Sequence, residues 1–92
     1  MKYTVIIEKQ AEEDIKDIVK SGNQASIKKI QTFLNELEEH PTTGEGQPEE
    51  LKHNLLGYWS RKINKKDRLI YKIEEEFITV IIVSALGHYS DK

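Results

Sequence analysis

Residues 59–85 read WSRKINKKDRLIYKIEEEFITVIIVSA, and the fold turns on how this run is divided. Three segments rich in β-branched and aromatic residues, Trp59 to Ile63, Arg68 to Ile73 and Phe77 to Ala85, are separated by Asn64-Lys65-Lys66-Asp67 and by Glu74-Glu75-Glu76. Those residue types predict strands, and the polar breaks predict turns. Connections this short join antiparallel neighbours, so the run predicts a three-stranded meander. Polarity chooses the register, because a slip of one residue carries a whole side-chain set to the other face. With Lys62 opposite Arg68, one face holds Trp59, Ile63, Leu69, Tyr71 and Ile73, and the other holds Ser60, Lys62, Arg68 and Lys72. Arg61 is the misfit, since it falls on the apolar face. Pairing Arg61 with Ile70 instead would scatter the charges, and the first register is preferred.

Upstream, Lys2 to Ile7 is rich in β-branched residues and predicts a short strand. From Gln10 the period changes. Ala11, Ile15, Ile18 and Val19 form an apolar helical stripe, opposite Glu12, Glu13, Asp14 and Asp17. Ser21-Gly22-Asn23 closes this helix and opens the next, Gly22 suiting the left-handed position and Asn23 the following N-cap. Ile27, Ile30, Phe33, Leu34 and Leu37 make a second stripe, ending near His40-Pro41. The loop 41–50, PTTGEGQPEE, contains both prolines and two of the five glycines. It is longer than the usual ~4–6 residues, a length more often functional than incidental. The chain therefore predicts an α+β fold: an N-terminal strand, an antiparallel helical hairpin, then a three-stranded antiparallel meander in one twisted sheet. Residues 1–92 are expected to be one domain with one core. The place of the first strand in the sheet follows from neither periodicity nor spacing.

Composition narrows the function. There is no cysteine, which excludes a disulfide scaffold and thiolate catalysis. The N-terminus lacks the apolar run of a signal peptide, and the longest apolar run, Phe77 to Val83, is broken by Thr79. It falls far short of the roughly 20 residues that span a bilayer, so a cytoplasmic protein with no membrane contact is expected. Net charge is −2, but it is unevenly spread: residues 1–50 hold six Lys and eleven Asp/Glu, and residues 51–92 hold eight Lys/Arg and five Asp/Glu. Within 51–72, Lys52, Arg61, Lys62, Lys65, Lys66, Arg68 and Lys72 face only Asp67, a local charge of about +6. Such asymmetry marks a surface that meets a polyanion or an acidic partner segment. No Gly-rich phosphate loop, zinc-ligand spacing or Ser-His-Asp arrangement is present, so no metal and no cofactor are expected.

Pro48, Leu51-Lys52-His53-Asn54-Leu55, Gly57-Tyr58-Trp59-Ser60-Arg61, Arg68-Leu69-Ile70-Tyr71 and finally His88-Tyr89 carry a resemblance to the YoeB/Txe family of RelE-superfamily toxins. The resemblance extends to element order over most of the chain and implies a RelE-like fold. It further implies the toxin of a toxin–antitoxin pair, a ribosome-dependent endoribonuclease that cleaves mRNA in the A site. A YefM/Phd-type antitoxin would neutralise it, operator DNA being reached only through that antitoxin. Oligomeric state stays open, a homodimer included.

Metal-free RNA cleavage needs a base for the 2′-hydroxyl, cations for the extra phosphate charge, and an acid for the departing 5′-oxygen. The resemblance assigns the base to Glu49, the phosphate clamp to Arg68 and the acid to His88, whose ordinary pKa of roughly 6.5 suits the task. Tyr89 would stack on a base, and Lys52, Arg61 and Lys62 would be accessory phosphate contacts. Two departures stand out: Lys62 occupies a position where the family often has Arg, and Ser90-Asp91-Lys92 extend past the Tyr. His53 is expected to make a structural hydrogen bond and Trp59 to be core, while His40 receives no function. Two alternatives remain at this level. One is a ParE-like gyrase poison, which needs no acid–base set; the other is a catalytically silent module that binds antitoxin and DNA.

Overall fold

A computed structural model describes residues 2–52 and 55–86. Strand β1 (Thr4–Ile7) leads into helices α1 (Lys9–Ser21) and α2 (Gln24–Glu39). Strands β2 (Glu49–Glu50), β3 (Tyr58–Lys62), β4 (Arg68–Glu74) and β5 (Thr79–Ser84) follow. Together the strands form a five-stranded sheet of order β1-β5-β4-β3-β2. The meander β3-β4-β5 is antiparallel as expected, and its register pairs Lys62 with Arg68. The sheet is mixed, because β1 lies parallel to β5. The two-residue β2 is a further strand, closing the other edge against β3.

The turn between the helices behaves as its residues dictate. Gly22 adopts φ 76 and its amide reaches the Val19 carbonyl, while the Asn23 side chain accepts from the Ser26 amide at 3.1 Å. Both helices pack on one face of the sheet. Ala11, Ile18, Ile30, Phe33 and Leu37 meet Ile63, Leu69, Tyr71, Val80 and Ile82 in one core, and each such buried side chain contributes about 1.5–3 kcal/mol relative to exposure. One part of the expected α1 stripe is corrected. Val19 is 51% exposed, and Asp14 is buried in its stead. Ala11, Asp14 and Ile18 share the inner stripe because Asp14 has a partner there: its Oδ2 accepts from the Ala85 amide at 3.0 Å, past the end of β5.

The expected third strand also starts later than its residues suggest. Glu75–Phe77 form a short 3-10 turn, Ile78 takes φ 48, and β5 begins at Thr79. Among the described residues, no helix is long and apolar enough to cross a membrane.

Candidate nucleic-acid interface

The site is built on the sheet face turned away from the helices. Directly paired antiparallel residues point the same way. The pairs Glu49↔Ser60 and Ser60↔Ile70 therefore form one row across the outer face, and Lys62↔Arg68 form the next. Strand spacing of about 4.8 Å and rise of about 3.3 Å per residue put the Cα atoms of Glu49 and Arg68 roughly 12 Å apart. Glu49 is exposed and Arg68 half-buried, and Arg68 has no ion pair among the described residues. The strand order thus brings Glu49 and Arg68 to the same face of the sheet. Lys52, just beyond β2, is exposed, and so is Lys62.

At the sheet edge, Lys62 and Lys65 join Lys29 of α2 around a cleft of about 350 Å³. Lys72, also on the outer face, is partly neutralised. Its ammonium lies 3.2 Å from Glu74 and over the Tyr58 ring, and the hydrogen bond to Glu74 raises its pKa. Ser60, at the centre of the row, is fully buried, and its hydroxyl has no hydrogen-bond partner among the described residues.

Arg61 is a correction. Expected as an accessory phosphate contact, it is 0% exposed and faces the helices. Strand alternation sends it inward between the outward Ser60 and Lys62, and its positive charge is met inside by Glu36. All five N–H donors are used. Nε donates to the Tyr71 hydroxyl at 3.2 Å, one terminal nitrogen to Glu36 and the Glu45 carbonyl, the other to the His40 and Thr43 carbonyls. Tyr71 in turn donates to the Pro41 carbonyl at 2.7 Å. Burial pushes the Tyr71 phenol up, against the Arg61 guanidinium that pulls it down. Glu36 is not singled out by the sequence, and Tyr71 is read there as an apolar-face residue without a site role. The only signal that leads to them is the misfit of Arg61 on an apolar face.

His88 and Tyr89, the expected acid and stacking residue, lie outside the described residues, as does His53. Among the described residues no group of three or more His, Cys, Asp or Glu could hold a metal ion.

Comparison with known proteins bears on the whole chain. Toxin YoeB of Escherichia coli strain K12 is 38% identical over 63 residues, covering 68% of this chain and 73% of that protein. A YoeB dimer from Staphylococcus aureus superposes with TM-score 0.78 at 33% identity, covering 97% of this chain and all of that one. The toxin of a YoeB-YefM complex from the same organism gives TM-score 0.76 at 34% identity over the same shares. Residues 7–89 match the family described as the YoeB-like toxin of bacterial type II toxin-antitoxin system, and the chain belongs to that family.

Proposed function

We propose that this toxin is a ribosome-dependent endoribonuclease that cleaves mRNA by general acid–base catalysis, without a metal. The observation that carries the reading is that Glu49 shares a cationic sheet face with Arg68, which has no ion pair among the described residues. In this scheme Glu49 takes the proton from the 2′-hydroxyl as that oxygen attacks the adjacent phosphorus. Arg68 holds the non-bridging oxygens through its planar fork, which matches phosphate geometry as a lysine does not. His88 protonates the leaving 5′-oxygen, giving a 2′,3′-cyclic phosphate, and Tyr89 stacks on a base. Lys52 and Lys62 hold flanking phosphates. The last four assignments rest on the resemblance and on charge, since His88 and Tyr89 are not described.

The partners follow the same reading. A YefM-type antitoxin segment, acidic and ordering on contact, would lie across the cationic face and block it. The YoeB dimer and YoeB-YefM complex in the relatives support a homodimer and such an antitoxin here. Action on ribosome-bound mRNA places the protein in the cytoplasm.

The test is Glu49→Gln, which keeps shape and removes basicity. Cleavage of ribosome-bound mRNA in the presence of chelator should fall by about 10²–10⁴-fold, the range for loss of a general base. A 2′-deoxy scissile nucleotide should abolish cutting by the wild type. Undiminished cleavage by Glu49→Gln would remove Glu49 from the base role. Intact mRNA beside stalled DNA replication would favour a gyrase poison instead.

A further inference from the structure

Arg61 gathers the segment that delivers Glu49. Its partners are Glu36 at the end of α2 and the carbonyls of His40, Thr43 and Glu45. The Tyr71 hydroxyl adds Pro41 to the same point, and Glu36 also accepts from the Glu45 amide at 3.0 Å. The next residue, Gly46, adopts φ +84, and an added Cβ there would stand 2.5 Å from the Phe33 ring and 3.1 Å from Arg61 Cβ. Its carbonyl accepts from the Lys62 amide at 2.7 Å. Three residues later Glu49 pairs with Ser60, the neighbour of Arg61 on β3.

The strand that carries Glu49 is only two residues long and lies at the sheet edge. Two ladder pairs and the Leu51 amide to the Tyr58 carbonyl hold it on that side. So short an edge strand takes its position from what precedes it, and what precedes it is tied to one buried guanidinium. Only arginine offers five donors in a rigid plane.

We propose that Arg61, oriented by Tyr71 and Glu36, is a positioning residue: from the helix side of the sheet it fixes the 40–46 loop and hence the place of the Glu49 carboxylate on the opposite face. The proposal rests on the reading of Glu49 as the general base. Proton abstraction in a near-attack geometry is sensitive to displacement, and about 1 Å costs on the order of 10²-fold.

The gentlest probe is Tyr71→Phe, which removes one hydroxyl and keeps the ring that lies 5.9 Å from the guanidinium. It should leave a cooperative melt and an RNA affinity close to wild type, while single-turnover cleavage falls about 10- to 100-fold. Arg61→Lys should move cleavage the same way and further. The decisive arm is the double variant. In a Glu49→Gln background Tyr71→Phe should cost nothing more, because the group it positions no longer acts as a base. Independent, multiplying losses would overturn the proposal, as would an unchanged rate in Tyr71→Phe alone. If Glu49→Gln itself cuts at the wild-type rate, the base reading has failed, and amide exchange then judges the positioning alone. Faster exchange at the Glu45 and Leu51 amides in Tyr71→Phe upholds the pin, and unchanged exchange overturns it.

Discussion

Replacing Lys62 and Lys72 one at a time by alanine separates a free cation from a spent one on the same sheet face. Of the seven basic residues in 51–72, Arg61 is buried against Glu36 and Lys72 is paired with Glu74. Lys52, Lys62, Lys65, Lys66 and Arg68 have no ion pair among the described residues. Each phosphate neutralised on single-stranded RNA adds about 0.7 to the log–log slope of affinity against salt. Lys52, Lys62 and Arg68 around Glu49 then give a slope of about 2, and all five cations about 3.5. Lys62→Ala should flatten the slope by about 0.7, a fivefold smaller loss of affinity per tenfold rise in salt. Lys72→Ala should change it much less, since its ammonium already sits beside a carboxylate. The assay is fluorescence anisotropy with a short RNA carrying a 2′-deoxy scissile nucleotide, between about 50 and 200 mM salt. Equal flattening by the two variants would refute the reasoning, because ion pairing would then not decide which cations meet phosphate. No flattening by Lys62→Ala would mean that RNA lies elsewhere.

Two further perturbations test how the fold carries this face. Asp14→Ala strands the buried Ala85 amide and should lower stability to urea by about 1–3 kcal/mol; a change within a few tenths would mean that the bond contributes nothing net. Above pH 10, burial of Tyr71 should itself cost stability: its raised pKa means that the unfolded chain loses this proton first, so the contribution is complete below about 10 and drains as pH rises toward the folded value. Urea melts of Tyr71→Phe should show a shallower alkaline fall than wild type, and parallel falls would reject that assignment.

The meander and its register were legible because strand period two leaves few ways to keep Leu69, Tyr71 and Ile73 on one side and Lys62 with Arg68 on the other. Arg61 was visible as an exception but not as a hub. Its partners lie 16 to 25 residues away in the loop and α2, or on the neighbouring strand, and sequence spacing says nothing of such contacts. The exchange of Val19 for Asp14 has a similar cause. A 3.6-residue period places both near the edge of the inner stripe, and the choice depends on the Ala85 amide 71 residues on. Strand β2 escaped notice because Glu-Glu has no strand preference; its pairing is imposed from outside. The parallel seat of β1 beside β5 is likewise a contact between chain ends. Of the candidate site, the shared face of Glu49 and Arg68 follows from the register plus β2, so half of that geometry was readable and half was tertiary.

For an acidic chain, the proposed grip on a polyanion is less paradoxical once the charges are placed. The sequence pI is about 5.9, yet several exposed helical acids lie in a different layer from Lys62 and Arg68. Glu12, Glu13, Asp17 and Glu39 are exposed on the helices, while Lys62 and Arg68 point from the other face of the sheet. A helix about 10 Å thick and the sheet itself separate the two sets by roughly 15–20 Å, about two Debye lengths at physiological salt. Across that distance the helical acids barely weaken the attraction that a phosphate feels at the sheet. Glu36 of α2 is drawn toward the sheet, and Arg61 occupies it there. That pairing keeps a carboxylate from lying uncompensated beneath the cationic face, and it also sends the one arginine that RNA cannot reach to the segment that carries Glu49. Neutralising Glu36 and, in the proposal above, positioning the loop are thus two tasks of a single inward-facing residue on β3.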